Sequence, residues 1–298
     1  MLDLHRLILL REVRARGSMS AAARELNYSH SAISQQLALL EREVGVALLE
    51  RVGRAVKLTP AGEDLVRNTE VILAAVERAE SDLALAHERP QGVVTVAVFA
   101  TIARSVMPAV LADLAERLPA LDVRLRLCDP DDAVARLVAR KVDAVITDAF
   151  PGTPGPAGVP GPGGGIHSTL LGADPVRGYL PPGVDGARGD LHGVPWVMEP
   201  RETASAQWAM RVCRERGFEP HVVHESSDVL FHLRLVERGL AAAFLPDMVV
   251  REAGTALVPS SELPSDQERG IVFLSRAGAE ERPALVAVRE AVRARLVS

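Results

Sequence analysis

The hydrophobic pattern of this chain changes its period near residue 93. Before that point, apolar residues recur every three or four positions, which is the spacing of amphipathic helices. From Val93 onward, short apolar runs alternate with helical stretches, an order that is typical of parallel strands joined by crossover helices. A chain of 298 residues with such a change is expected to contain a helical head followed by a larger α/β body.

The composition is that of an ordinary globular protein, with 48% hydrophobic and 24% charged residues. This balance excludes a collagenous, a disulfide-stapled or a wholly disordered chain. Residues 1–60 carry nine basic and six acidic side chains, whereas the net charge of the whole chain is -5. A basic head on an acidic body suits a nucleic-acid-binding protein. We expect Cys128 and Cys213 to be two buried thiols, and because no apolar run is long enough for a membrane helix, we expect a cytoplasmic protein.

The sequence pattern of the head predicts three helices followed by a hairpin. The first helix should end at Gly17, the second should be capped by Ser18 or Ser20, and the third should run from about 31 to 44. One face of this third helix is apolar and packs inward. The opposite face is small and polar, as expected of a helix that enters the major groove of DNA. It carries Ser31, Ser34, Gln35 and Ala38.

Basic residues lie around Gly53, between two short predicted strands. In this position Arg51 and Arg54 suit a wing that touches phosphates or a minor groove. The alternative is a three-helix packing unit with an ordinary surface hairpin. Charge and helix pattern alone leave that alternative open.

Several segments of the head resemble the winged helix-turn-helix of LysR-type transcriptional regulators. They are Gly17–Leu26, Ser29–Leu37, Leu40-Glu41, Gly45-Val46, Leu48–Arg51 and Leu58–Gly62. The resemblance implies a DNA-binding domain at residues 1–59. It implies DNA contacts from Ser29, His30, Ser31, Ser34, Gln35, Arg51 and Arg54. One departure is His30-Ser31, where the family commonly has Gln-Pro.

A long helix is predicted to connect the head and the body, over residues 60–89. Thr59 can cap this helix and Pro60 suits its first turn. Apolar residues then recur every 3.5 positions, which is the repeat of a coiled coil. We therefore predict a homodimer or homotetramer seam, and the alternative is a helix packed on its own domain. The seam consists of Leu65, Thr69, Ile72, Val76, Ala79, Leu83 and Ala86, of which Leu65, Ile72, Val76, Ala79 and Leu83 are the predicted dimerisation contacts.

The body, residues 92–298, begins with a βαβαβ order over 93–147, which predicts a parallel sheet. The segment Pro151–Gly165 holds five prolines and seven glycines and is expected to be a surface loop. Further strands and helices follow. They resemble the effector domain of the LysR family, which has a type 2 periplasmic-binding-protein-like fold. We expect subdomain I at 92–148 plus 270–298 and subdomain II at 166–268, with crossings near 148–168 and 265–270.

Two predicted strand-to-helix turns in the body are candidates for a binding cleft, because free backbone N–H groups gather at such turns. Arg201 offers a planar donor fork for a carboxylate, so the effector is expected to be a small molecule such as a carboxylate. Plain helix capping is the alternative role for these residues. The predicted effector contacts are Ala100, Thr101, Ile102, Arg201, Thr203, Ser205, Ser227 and Phe244.

The sequence carries no signature of catalysis. It has no G-x-S-x-G turn, phosphate loop or dinucleotide fingerprint, and we expect neither a metal nor a cofactor. The resulting prediction is a regulator that is not an enzyme, whose partners are double-stranded operator DNA, a small effector and RNA polymerase. Two alternatives remain, namely a small-molecule binding protein without a regulatory role and an enzyme on an α/β scaffold.

Overall fold

The structure is a computed structural model that describes residues 2–26, 28–52, 55–86, 89–153, 165–181, 184 and 191–296. The chain divides into two compact units, Met1–Ala79 and Glu80–Ser298. None of the described helices is both long and apolar enough to cross a membrane.

Three helices, a hairpin and the first part of helix α4 (Pro60–Leu85) form the N-terminal unit. Helix α1 begins after Asp3, whose side chain accepts hydrogen bonds from backbone N–H groups, and it ends at Gly17 with a left-handed φ of 69°. The hydroxyl of Ser18 caps the next helix by accepting a hydrogen bond from the backbone of Ala21. The elements are α1 (Leu4–Arg16), α2 (Met19–Leu26), α3 (His30–Val44), β1 (Leu49–Val52) and β2 (Ala55–Leu58).

The core of this unit is formed by the inner faces of its helices. Ile33, Leu37 and Leu40 of α3 are fully buried and pack with Leu7 and Leu10 of α1. The spacing of the three α3 residues places them on one side of the helix, as the sequence predicts. The other side of α3 is left exposed.

Helix α4 (Pro60–Leu85) spans the division between the two units. Thr59 caps it as predicted, because its hydroxyl accepts a hydrogen bond from the Gly62 backbone at 3.1 Å. One face of the helix is buried, with Val66 packed in the N-terminal core. The adjacent face carries the predicted seam, and it is uncovered at Ile72, which is 37% exposed, and at Leu83, which is 73% exposed.

Two α/β subdomains make up the C-terminal unit. A six-stranded sheet has the order β4-β3-β5-β10-β6-β9, in which β3 pairs in parallel with β4 and β5, as predicted. A short pair of parallel strands, β7 and β8, belongs to the second subdomain. The strands are β3 (Gly92–Val98), β4 (Leu121–Leu127), β5 (Ala144–Ala149), β6 (Ile166–Tyr179), β7 (Pro195–Met198), β8 (His221–Glu225), β9 (Ala243–Pro246) and β10 (Gln267–Arg276). The helices are α5 (Ala100–Ser105), α6 (Met107–Arg117), α7 (Pro130–Val138), α8 (Ala204–Glu215), α9 (Val229–Glu237), α10 (Asp247–Ala253) and α11 (Pro283–Leu296).

Strand β6 runs from the first subdomain into the second. It pairs with β10, which lies beside β5, over residues 166–176, and with β9 over residues 176–179. Leu171 packs in the core of the first subdomain and Val176 in the core of the second. The structure therefore differs from the expected start of subdomain II at residue 166, because the crossing lies inside β6. The centre of the Pro/Gly-rich segment, residues 154–164, lies outside the described residues.

Other differences from the predicted elements have local causes. The apolar spacing predicts one helix over 104–118, and the structure instead has α5 and α6, divided at Val106 just before Pro108 at the start of α6. The apolar run at 176–180 predicts a strand there, but β6 begins ten residues earlier, at Ile166, because Gly172 and Pro175 interrupt its hydrophobic pattern. Helix α10 has only seven residues, which is too short for a helical period to be recognised in the sequence.

Candidate DNA interface and ligand cleft

The exposed face of α3 is the candidate surface for reading DNA. Ser31, Ser34 and Gln35 are exposed, opposite the buried side of the helix. Ser29 is the N-cap, since its hydroxyl accepts a hydrogen bond from the Ala32 backbone at 3.1 Å. His30 is the first residue of the helix. The structure therefore brings these five predicted residues together on one face and one end of α3.

Two charged residues outside the predicted DNA contacts hold α3 in place. The carboxylate of Glu41 accepts hydrogen bonds from the backbones of Leu48 and Leu49, at 2.8 and 3.0 Å, and so ties α3 to the start of the hairpin. The guanidinium of Arg6 donates to Gln36 at 3.1 Å and pairs with Glu43 at 2.5 Å. The signal for Glu41 was the Leu40-Glu41 pair of the family motif.

Strands β1 and β2 form the predicted hairpin. They pair antiparallel, with Leu49 opposite Leu58 and Val52 opposite Ala55. Arg54 and the side chain of Arg51 lie outside the described residues, so their contacts with DNA remain predictions.

A cleft of about 450 Å³ lies in the C-terminal unit, where the ends of several strands meet the starts of α5 and α8. The predicted residues Ala100, Thr101, Thr203, Ser205 and Ser227 line it. This volume is within the range of cavities that hold small organic molecules.

Three of the predicted contacts lie elsewhere. Ile102 is fully buried in the core of the first subdomain. Arg201 is exposed and does not line the cleft; its charge acts, after that of Arg214, to lower the pKa of Glu219. Phe244 lies behind the cleft, against a smaller cavity of about 20 Å³.

The placements of Ile102 and Phe244 have physical reasons. Ile102 points inward because the helix turns a small polar residue, Thr101, toward the cleft. Phe244 packs 5.3 Å from Trp196 and 5.1 Å from Trp208, measured between ring centroids, and so belongs to an aromatic cluster.

Thr203 lines the cleft, but its hydroxyl is engaged in capping. It donates to the carbonyl of Pro200 at 2.8 Å and accepts from the Ala206 backbone at 3.2 Å. The capping role that the sequence left open therefore holds for this residue. Thr101 is different, because it is only 2% exposed and its hydroxyl has no hydrogen-bond partner within the described part of the chain.

Sequence reasoning did not select the charged residues of the cleft as effector contacts, although Glu199 and Glu202 lie in the turn from which Arg201 was chosen. Five carboxylates and two guanidinium groups line it. The signal that could have found two of the acids is their position at strand ends, since Asp148 lies near the end of β5 and Glu199 directly follows β7. The charged lining residues are Asp129, Asp132, Asp148, Glu199, Glu202, Arg104 and Arg269.

Arg269 is the centre of a buried ion network at the floor of the cleft. Its guanidinium lies 2.9 Å from Asp148 and 2.9 Å from Asp174, and 5.2 Å from the centre of the Phe99 ring. Asp174 also accepts a hydrogen bond from the backbone of Met248 at 3.1 Å. The network joins β5, β6 and β10 at the crossing between the subdomains.

Glu199 has a perturbed acidity. Burial, and then the negative charge of Asp148, raise its pKa to about 7, although the hydroxyl of Ser205 donates a hydrogen bond to it. A carboxyl group in this state changes its charge near neutral pH.

Neither cysteine has the environment of a reactive thiol. Cys213 is fully buried, and burial raises its pKa to about 12. Cys128 is only partly buried and lines the cleft, which differs from the expectation for this residue; its pKa is also raised, mainly by burial. Within the residues that the structure describes, no group of three His, Cys, Asp or Glu side chains could hold a metal ion.

These features define a class of protein: a DNA-binding head with a helix-turn-helix and wing, followed by an α/β domain with a cleft for a small molecule. The family description "Bacterial regulatory helix-turn-helix protein, lysR family" matches residues 4–63, and "LysR substrate binding domain" matches residues 87–297. The chain belongs to the LysR family of DNA-binding transcriptional regulators, and this family consists of regulators, not enzymes.

Individual relatives are also described as regulators of gene expression. The "Probable hydrogen peroxide-inducible genes activator" of Mycobacterium xenopi is 38% identical over 140 residues, covering 47% of this chain and 74% of the relative. The "Transcriptional dual regulator GltC" of Bacillus subtilis is 26% identical over 84% of this chain and 83% of its own length. The solved structure of CrgA, a LysR-type regulator from Neisseria meningitidis, has a TM-score of 0.56 at 23% identity, with 100% of both chains covered, and supports the fold.

Proposed function

We propose that α3 reads operator DNA through Gln35, Ser31 and Ser34. The observation that carries this proposal is the exposed polar face of α3, backed by a fully buried apolar face. Glutamine and serine side chains present both donors and acceptors, so they can bond base edges in the major groove. Ser29 and His30 lie at the start of the same helix, where backbone N–H groups favour a phosphate.

The wing supplies contacts of a different kind. Arg51 and Arg54 would bind phosphates or the minor groove and add affinity that depends on salt but little on sequence. The two roles can therefore be separated by experiment.

The test compares two variants on two DNA molecules. Fragments that the purified protein retains from genomic DNA supply the operator, and a random fragment of equal length is the control. Gln35→Ala should weaken operator binding by about 1–3 kcal/mol with little effect on random DNA. Arg54→Ala should weaken both and flatten the salt dependence. Equal losses on both DNA molecules in both variants would contradict the proposal.

We propose that α4 pairs with α4 of a second copy. The seam residues Leu65, Ile72, Val76, Ala79 and Leu83 share one face of the helix at a 3.5-residue spacing. In the single chain this face leaves Leu83 and Ile72 exposed, and an apolar stripe of this length favours association. A dimer also presents two copies of α3, as DNA half-sites require.

We propose that a small effector occupies the cleft and changes transcription. The unpartnered hydroxyl of Thr101 and the exposed Ser227 support this role, and so does the volume of the cleft. The carboxylate effector expected from the sequence depended on Arg201, which points elsewhere, so the cleft gives that class no support. RNA polymerase remains a proposed partner on the ground of the protein class alone.

A further inference from the structure

The charges that line the cleft are mostly negative. Five carboxylates face it against two guanidinium groups. Asp148 is paired with Arg269, and the carboxylate of Asp132 accepts a hydrogen bond from the guanidinium of Arg136 at 2.7 Å. Asp129 and Glu202 have no ion-pair partner among the described residues.

Both cations of the cleft are already committed to protein carboxylates. Arg269 is 2% exposed and lies between Asp148 and Asp174. The guanidinium of Arg104 lies 2.8 Å from Glu252. A carboxylate ligand would therefore have to displace an existing ion pair while it lies close to unpaired acids, which is unfavourable.

Glu199 lies where its carboxylate can pair with a positively charged group of a ligand in the cleft. It is partly buried at the wall of the cleft, with Ser205 as its hydrogen-bond donor and Asp148 as a negative neighbour. Burial and Asp148 both oppose a negative charge on Glu199. A positive ligand group would remove that opposition.

Thr101 offers a second polar group to a ligand in the cleft. The residue is 2% exposed and lines the cleft, and no hydrogen bond joins its hydroxyl to another described residue. This hydroxyl is therefore available to a polar group that enters the cleft. An ammonium or guanidinium group can donate to this oxygen.

We infer that the cleft binds an organic cation, a small molecule whose primary ammonium or guanidinium group lies against Glu199 and within hydrogen-bonding range of Thr101. This inference rests on the proposed role of the cleft as the effector site. The apolar part of the ligand would contact Phe99, Ala100 and Val229, which also line the cleft.

The test uses the full-length protein and three probes: agmatine and putrescine as cations, and glutarate as an anion of similar length. Calorimetric titration should detect the cations and not glutarate. Glu199→Gln should weaken binding of the cations at least tenfold, and Glu202→Gln should weaken it less. Glu215→Gln is the matched control, because Glu215 lies on α8 with an exposed carboxylate outside the cleft.

The pH dependence separates a charge role for Glu199 from a packing role. As the pH is raised toward 7, the affinity for agmatine should increase by about tenfold per pH unit, because Glu199 must lose its proton to bind the cation. Above pH 7 the affinity should become constant. The charged groups that face Glu199 are Asp148, Asp129 and Arg269, and His232 of α9 lines the adjoining small cavity. The rise should disappear in Glu199→Gln.

Each outcome decides between the two proposals. Binding of glutarate alone, or of no probe, would overturn the inference of a cationic ligand. Unchanged agmatine binding in Glu199→Gln would overturn it as well. Operator binding is measured in the same preparation with and without agmatine: binding of agmatine that leaves operator binding and its footprint unchanged would contradict the effector role and leave the cation site standing.

Discussion

Replacing Glu199 with glutamine should stabilise the unliganded protein at alkaline pH. The carboxyl has an ordinary pKa of 4.5 in the unfolded chain, and burial and Asp148 raise it to about 7 in the folded protein. The folded state therefore binds more protons than the unfolded state between these two values, so this group lowers stability progressively as pH rises from 4.5 to 7. Glutamine resembles the protonated carboxyl and carries no such penalty.

The size of the effect follows from the two pKa values. At about 1.4 kcal/mol per pH unit, the interval corresponds to an upper bound of about 3 kcal/mol in the free energy of unfolding at pH 8. At pH 5 the difference between wild type and variant should be within about 1 kcal/mol. The variant should therefore gain stability at pH 8 and lose the pH dependence that the wild type shows.

Urea unfolding followed by tryptophan fluorescence measures this effect in the relevant subdomain. The two tryptophans of the chain, Trp196 and Trp208, both lie in the buried core behind the cleft. Glu215→Gln is the control and should follow the wild type at both pH values. Equal stability of wild type and Glu199→Gln at pH 8 would refute the assignment of a strained, buried carboxyl.

Three further perturbations test other parts of the molecule. Ile72→Asp should give monomers in light scattering, whereas Val71→Asp, one residue away and off the seam, should leave the dimer intact; unchanged mass in both would exclude the seam. Burial lowers the pKa of His232, so the unfolded chain binds more protons than the folded protein below about pH 6.5. The free energy of unfolding should therefore decrease as the pH is lowered from 7 to 5, and His232→Gln should make this decrease smaller in urea titrations. Gly62→Ala would drive a Cβ into the carbonyl oxygen of Leu48, which is backbone and cannot move aside, so a loss of about 1–3 kcal/mol and weaker DNA binding are expected in thermal unfolding and gel-shift assays.

The sequence predicted the parts of the fold that depend on local pattern. The stripe of Ile33, Leu37 and Leu40 is confirmed, because a helical period in the sequence becomes a buried face in the structure. The cap at Thr59 is confirmed for the same reason, since capping involves residues three positions apart. The parallel pairing of β3 with β4 and β5 is also confirmed.

The charged floor of the cleft could not be predicted in this way. Arg269 and Asp174 are 95 residues apart in sequence, and no local period links them. Arg201 was chosen because it follows a strand, but the turn directs it to the surface and leaves Glu199 at the wall of the cleft. The packing of the two subdomains decides which residue of a turn faces the cleft. The local sequence pattern around the turn does not determine it.

Strand β6 passes from the first subdomain to the second at the floor of the cleft, and Asp174 and Arg269 lie beside this crossing. A molecule bound there contacts the segment that joins the two subdomains. We therefore expect a ligand that changes the angle between the subdomains to move their outer edges further than the residues it touches, because displacement in a rotation grows with distance from the axis.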